Sequence, residues 1–474
     1  MIDIASNMDR VLTSVRKKTT PSEKERKEVL SLADTLVERV KTAAEKAGVK
    51  ARVRIEGSVA KDTWLRGEPD IDIFMQLPTS TPREAFGTTC LRIAKEATKG
   101  SRQVERFAEH PYLEAFVNST RVNIVPCYRS KPGDWISATD RTPYHTNYVN
   151  PKLNDRLRSE IRLLKRFMKG INVYGAEIKV GGFSGYLGEL LTLHYGSFVN
   201  VLKSAANWRQ PWTIDYENHY KGRENEVQKI FEEPLIVVDP IDRGRNVASA
   251  VRKQRLDEFT AASREFLKQP RLEFFYPKET KIFKKEQLLQ TIQKRGTALV
   301  FVKFGKTDAV PDILWGQLYK THRSLRKMLH QNDFNVIRST VWSDEKNLGV
   351  FLFEVERHLL PAAKKHLGPP IGKMVECENF LRKHVKSSAT LSGPYIEDGR
   401  WVVEIKRKHT DIVDLFREKL KEGGRQAGVA GLISRALTSS MEIRVNEGIM
   451  TTYLANNEFA KFLTEYIKGK PKWL

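Results

Sequence analysis

The stretch "RIEGSVAKDTWLRGEPDIDIF", residues 54–74, decides how this chain is read. A glycine and a serine break an alternating strand, and shortly afterwards two aspartates stand one isoleucine apart. Strand side chains alternate between faces, so Asp70 and Asp72 share one face while Ile71 and Ile73 turn to the core. Carboxylates that close repel unless they are solvated or hold a cation. Mg²⁺ takes oxygen ligands, usually one or two carboxylates together with substrate phosphates. Two such ions about 3.5–4 Å apart activate an attacking oxygen and steady a leaving one. Gly57 lets the backbone come close to a phosphate, Ser58 opens a helix whose N–H groups face outward, and Lys61 lies one turn on. The plainer alternative is a capped helix followed by an edge strand with solvated aspartates. A short motif alone does not separate the two.

Outward from this stretch, residues 22–48 read as a helix. Val29, Leu32, Ala33, Leu36, Val37 and Val40 recur at three and four, and Ser22 with Glu25 forms a capping box. "ARVRI" reads as a strand, "VAKDTWL" as a short helix, "DIDIFMQL" as a second strand, and residues 81–99 as a helix. "YLEAFV" and "RVNIVPCY" form a hairpin around Asn118 and Ser119, which sets Val117 against Thr120 and Glu114 against Asn123. Residues 1–150 thus form a small α+β domain with a mostly antiparallel sheet. Residues 151–270 are helix-rich, with helices expected over 153–169 and 183–203. Strands return in residues 271–474. "TALVFVKF", a helix over 315–330, "NVIRSTVW" and "NLGVFLFEVE" give a β-α-β-β order that suits a ferredoxin-like module of the kind RNA binders use, followed by a helix near 376–385 and the hairpin "GPYIEDGRWVVEI".

Composition narrows the partners. The net charge is +23 over 474 residues, and such an excess favours nucleic acid or an anionic surface. No basic amphipathic anchor and no bilayer-length apolar run stands out, so no membrane partner is expected. The N-terminal residues lack the apolar stretch of a secretory signal. Cys90, Cys127 and Cys377 are far apart and in no metal-ligand spacing, which fits a reduced, cytoplasmic protein without structural zinc.

The pattern G-S-x-A-x-x-T-x-L-x-G-x-x-D-I-D-x-F resembles the signature of the polymerase-β nucleotidyltransferase superfamily. "AEHPY", "NIVPCY", "DRTPYH", "LLKRFMKGINVYGAE", "KVGGFSGYLGELL", "VVDPIDRGRNVAS" and "LEFFYPK" narrow it, for together they resemble the archaeal-type (class I) CCA-adding enzymes, which are tRNA nucleotidyltransferases. The likeness is strong from about residue 20 to 280 and fainter beyond. It implies an α+β chain: a polymerase-β-like nucleotidyltransferase head, a helix-rich central domain, and a C-terminal α+β RNA-binding module with ferredoxin-like elements. It implies addition of C, C and A to the 3′ end of tRNA from CTP and ATP, without a template and with two Mg²⁺ ions. The C-terminal part would hold the acceptor stem and T arm, and a homodimer is compatible. Carried over by motif, the metal pair falls on Asp70 and Asp72. Nucleotide contacts fall on Gly57, Ser58, Lys61 (commonly arginine there), His145, Lys165, Tyr174 and Arg245.

Taken singly, these residues have ordinary readings as well. Lys165 stands at the edge of the stripe Leu157, Ile161, Leu164, Met168, where a lysine usually buries its stem and keeps its head wet. His145 and Tyr174 pass as ordinary surface or core residues, and Arg245 as a solvated loop arginine whose planar fork also suits a phosphate or a base edge. One departure from the family pattern stands out. Where the family has a third carboxylate before "VVPCY", this chain reads "RVNIVPCY", with Asn123 there. In the superfamily that acid binds the ion that activates the primer 3′-hydroxyl. One unit charge pair at 4 Å is worth about 4 kcal/mol at an effective dielectric of 20, so impaired chemistry with retained binding is expected. Glu114, opposite Asn123, is a substitute charge or else a solvated strand glutamate. Other readings are an inactive RNA-binding relative of the fold and a poly(A)-polymerase-like enzyme; "GGFSGYL", "DPIDRGRNVA" and the β-α-β-β module argue against the latter.

Overall fold

The computed structural model describes residues 4–107 and 110–474; Ala108 and Glu109, which open the AEHPY motif, lie outside them. The described residues divide into one unit that runs to Glu279 and takes in Lys470–Leu474, and another, Thr280–Gly469. In the first unit α1 (Ile4–Thr19) is followed by α2 (Glu23–Lys46). The Ser22 hydroxyl accepts from the Glu25 amide and the Glu25 carboxylate accepts from the Ser22 amide, which is the expected capping box. Then come β1 (Arg52–Glu56), α3 (Gly57–Ala60), β2 (Asp70–Leu77), α4 (Arg83–Ala97), β3 (Arg102–Phe107), β4 (Pro111–Val117) and β5 (Thr120–Tyr128). The strands form one sheet in the order β1-β2-β5-β4-β3. Only β2 and β5 run parallel, so the sheet is mostly antiparallel as expected. Asn118 and Ser119 both take positive φ, and this two-residue turn pairs Val117 with Thr120 and Glu114 with Asn123.

Two local expectations need correction. The helix expected over "VAKDTWL" is a single turn that begins at Gly57 and stops at Ala60. Asp62 takes a positive φ of 48°, which no helix interior tolerates, and the carbonyls that follow are held by another element described below. The helix expected over 183–203 is two.

After α5 (Thr142–Val149) and α6 (Asp155–Gly170), α7 (Gly185–Tyr195) ends on Gly196 at φ +76°, and Ser197 caps α8 (Phe198–Ala205). The unit continues through β6 (Trp212–Ile214), α9 (Glu224–Ile230), β7 (Leu235–Asp239), β8 (Asp242–Asn246) and α10 (Lys253–Lys268). Phe167 of α6 is the hub of this core, packed against Phe198, Phe259, Phe266, Phe274 and Phe275. Val11, Leu12 and Val15 of α1 enter the same core, and Trp473 stacks on Phe274 at 5.3 Å.

The second unit runs α11 (Lys285–Arg295), β9 (Ala298–Phe304), α12 (Pro311–Gln331), β10 (Val336–Ser343), β11 (Gly349–Val355), β12 (Ala363–Pro370), α13 (Met374–His384), β13 (Thr390–Glu397), β14 (Arg400–Lys406), α14 (Ile412–Lys419), α15 (Gly431–Ser440), β15 (Glu442–Val445), α16 (Met450–Ala455) and α17 (Asn457–Lys468). Its four-stranded antiparallel sheet has the order β10-β11-β9-β15, so β11 lies between the two strands joined through α12. That is the split β-α-β of a ferredoxin-like fold, as the β-α-β-β order predicts. Val300 and Phe351 pack on one face, Phe301 and Leu352 on the other, which explains why these strands read as unbroken apolar runs. β12, β14 and β13 form a separate three-stranded sheet beside α13. Among the described residues no helix is long and apolar enough to cross a membrane, and all three cysteines are buried and free.

The aromatic hub yields a direct expectation. Phe167→Ala should cost about 3–5 kcal/mol, the range for emptying a buried aromatic site. Urea unfolding of the first unit reads it; a loss below about 1 kcal/mol, the size of a volume-conserving core swap, contradicts the packing described.

Candidate active site

Ile71 and Ile73 are fully buried, while Asp70 and Asp72 emerge half-buried on the opposite face of β2. In cross-strand register Asp72 lies between Glu56 of β1 and Asn123 of β5, and Asp70 lies beside Arg121. Gly57 is required twice over. Its φ is +70°, and a Cβ there would stand 2.2 Å from Asp72 Oδ2. Ser58 follows in the same single turn. The Asn123 amide donates to Asp72 Oδ1 at 2.9 Å, and the Arg121 guanidinium grips both oxygens of Asp70, with Nε to Oδ1 at 2.7 Å. Loss of water around Asp72 pushes its carboxyl up to about 6; the Asp70 charge adds to this, and the Asn123 hydrogen bond opposes it.

Glu114 is not solvated. It is buried, accepts from Arg106 at 2.8 Å, and its other oxygen lies 3.8 Å from Arg121 Nη1. Glu56, which sequence reasoning passed over, is fully buried with Arg54 Nε at 3.1 Å, and burial raises its carboxyl.

The loop after Ser58 is held by one helix. From successive turns of α6, Arg158 donates to the carbonyl of Lys61 at 3.1 Å, Arg162 to those of Asp62 and Trp64, the latter at 3.0 Å, and Lys165 to that of Thr63 at 3.2 Å. Arg162 also pairs with the Asp62 carboxylate at 2.7 Å. Lys165 is buried to its ammonium, so its head is drawn inward rather than kept in water. Its partner is Glu189 of α7, at 3.0 Å, and the same carboxylate takes Lys61 at 2.5 Å and the Thr63 hydroxyl at 2.7 Å. Burial by itself would raise the Glu189 carboxyl, but Lys165 and Lys61 outweigh it and hold the group at about 2. Burial lowers the Lys165 ammonium, against the pull of Glu189.

A second polar group stands beside the first. Tyr186 has the Lys61 ammonium 5.8 Å from its ring centroid and stacks on His145 at 3.9 Å. His145 Nε2 lies 2.9 Å from Asp239 Oδ2, which also takes Arg245 Nη1 at 2.6 Å, while the Tyr186 hydroxyl donates to Oδ1 at 3.2 Å. Burial lowers the His145 pKa despite Asp239, so the ring is neutral at pH 7 and its N–H donates. Arg245 is anchored, not loose, although its side chain remains about a third exposed. The Tyr174 hydroxyl and the Lys165 ammonium converge on α7, 3.0 and 3.7 Å from where a Gly185 Cβ would be. The structure thus gathers Gly57, Ser58, Asp70, Asp72 and Asn123 at neighbouring positions on β1, β2 and β5 and the turn after β1, ties Lys61 to Lys165 through Glu189, and joins His145 to Arg245 through Asp239. Glu189, Asp239 and Tyr186 sat inside the quoted motifs but were not singled out.

Comparison with known proteins identifies the family. Residues 34–145 match the family model described as nucleotidyltransferase domain, residues 159–276 that of tRNA nucleotidyltransferase, second domain, and residues 295–446 that of CCA-adding enzyme, C-terminal domain. The CCA-adding enzyme of Methanothermobacter thermautotrophicus is 38% identical, over 87% of this chain and 88% of its own. That of Methanosarcina barkeri is 36% identical over 96% and 97%, and that of Methanopyrus kandleri 35% over 98% of each. This chain belongs to the CCA-adding enzyme family. As a member of it, the chain has a nucleotidyltransferase-type head.

Nucleotidyltransferases generally use divalent metal ions. Asp70 and Asp72 fit one such ion: two carboxylates on one face, with Asp72 Oδ2 turned to the space left by the missing Gly57 side chain. A fully carboxylate-bound second ion fits less well in this family member. Among the described residues no group of three or more acidic, histidine or cysteine side chains is poised to hold a metal, and Asn123 turns its amide N–H₂ toward Asp72.

The Glu189 cluster predicts a pH-dependent stability. Removing one partner of a buried ion pair costs about 3–5 kcal/mol, so Glu189→Gln should lose about that much at pH 7. The folded-state pKa lies below its ordinary 4.5, so the contribution is complete above 4.5 and fades as pH falls toward about 2. Urea unfolding of both proteins at pH 7 and pH 3 should show the gap narrowing in acid; an equal gap at both contradicts the assignment.

Proposed function

We propose that this protein adds C, C and A to the 3′ end of tRNA from CTP and ATP without a nucleic-acid template. The observation that carries the reading is the Asp70–Asp72 pair beside the Gly57–Ser58 turn, in a chain whose relatives are CCA-adding enzymes along nearly its whole length. Asp70 and Asp72 would hold Mg²⁺, and the Asn123 side-chain oxygen would be open to a second ion once its amide rotates. When bound, the ions supply charge neutralisation at the triphosphate and at the attacking oxygen.

The chain's own residues do the positioning. The Gly57–Ser58 backbone receives the triphosphate. Lys61 and Lys165 carry two positive charges against one on Glu189, which leaves one in excess for a phosphate. Tyr174 and the partly exposed fork of Arg245, aimed by Asp239 and backed by His145, face the nucleoside. The primer 3′-hydroxyl gives up its proton to solvent and attacks the α-phosphorus, a new P–O bond forms, the bond to the oxygen that bridges to the β-phosphate breaks, and pyrophosphate leaves. We read the chain as a head (residues 1–150), a central domain (151–270) and a C-terminal domain (271–474) that grips the acceptor stem and T arm, in a protein of the cytoplasm. The basic net charge supports that grip.

tRNA lacking its last three nucleotides, incubated with labelled CTP and ATP, should gain three residues and then stop. A long A tail or no addition overturns the reading. Asn123→Asp should raise the single-turnover rate at least tenfold, the equivalent of about 1.4 kcal/mol. An unchanged rate would mean that the missing charge is not limiting.

A further inference from the structure

Arg121 opens the stretch "RVNIVPCY" but has no role in the proposed nucleotide site. It stands on β5 opposite Asp70, two residues before Asn123 and on the same face of the sheet. Its guanidinium grips both oxygens of Asp70, and its Nη1 lies 3.8 Å from Glu114 Oε2. The two acids differ in setting. Asp70 is half-exposed on the site face, whereas Glu114 is buried and already anchored by Arg106 at 2.8 Å. One arginine is therefore shared between an acid that faces a ligand and an acid that is fixed in the sheet.

We propose that Arg121 is an internal cation that competes with the divalent ion for Asp70 and that, once displaced, is retained by Glu114. The proposal rests on the reading of Asp70 as a metal ligand. A guanidinium fork that holds both Asp70 oxygens repels a divalent ion, so the ion gains Asp70 only as the fork gives up its two-point grip. The short step from Asp70 to Glu114 keeps the displaced charge paired and avoids stranding it beside the ion. Arg121 and Asn123 both shift the site toward positive charge, so the nucleotide-free protein holds a metal weakly. The ion then enters with the triphosphate, whose own negative charge offsets Arg121. Arg121 is thus a positioning residue for Asp70 and sets the order in which ion and nucleotide bind.

The test is Mn²⁺ binding to nucleotide-free protein, read from the loss of the free Mn²⁺ electron paramagnetic resonance signal. Arg121→Gln should bind Mn²⁺ at least tenfold tighter than the unmodified protein, and Arg121→Lys, which keeps the charge, should stay near it. Asp70→Asn should abolish binding, alone and combined with Arg121→Gln. Glu114→Gln should weaken binding when Arg121 is present and have no effect beside Arg121→Gln. Equal or weaker binding by Arg121→Gln, or a Lys variant as tight as the Gln variant, overturns the competition. Loss of the Glu114→Gln effect overturns the retention step. If Asp70→Asn binds Mn²⁺ as the unmodified protein does, the metal reading of the site itself fails, a result distinct from failure of the role given to Arg121.

Discussion

Four consecutive carbonyls, those of Lys61, Asp62, Thr63 and Trp64, have no place in a helix or a sheet ladder, and α6 meets all of them with fixed cations. Buried backbone acceptors must find donors, and charged donors make the strongest hydrogen bonds available. The clamp therefore fixes the loop that leads from the Gly57–Ser58 turn to β2. The β1–β2 ladder sets Glu56, and with it the turn, opposite Asp72, and the clamp holds the segment that joins them. Glu189 completes it from α7 by gathering Lys61, Lys165 and Thr63 on one buried carboxylate. Functional chemistry on the head thus depends on helices contributed more than 90 residues later.

The same economy governs charge. Most acids near the site are met by a donor: Asp70 by Arg121, Asp72 by Asn123, Glu114 by Arg106, Asp239 by His145 and Arg245, while the buried Glu56 has only Arg54 nearby. Asp72 has only the neutral Asn123 amide as a donor, and loss of water raises its carboxyl to about 6. A cation that enters such a site must gain more there than the cost of breaking a guanidinium pair.

Local patterns carried much of this into the sequence. The Ser22 capping box, the Asn118–Ser119 hairpin with its register, the shared face of Asp70 and Asp72, and the ferredoxin-like strand order all follow from neighbours in the chain. What escaped was long-range. Glu189 lies in an apolar helix and reads as a stray charge until Lys61, 128 residues away, is seen beside it. Asp239 meets His145 across 94 residues, and no spacing rule links them. α3 fell short of its expected length because the clamp holds its continuation in another conformation. α1 opens the head's stretch of sequence, yet its stripe fills the core around Phe167 of α6.

The central claim is that Asp70 and Asp72 present a cation to a nucleotide lodged at the Gly57–Ser58 turn. Crystals grown with Mn²⁺ and a non-hydrolysable CTP analogue, measured at the manganese absorption edge, address it directly. The account predicts an anomalous peak within ligand distance of oxygens from both aspartates, with the triphosphate along the turn. A triphosphate bound elsewhere, or a peak that touches neither carboxylate, would contradict it.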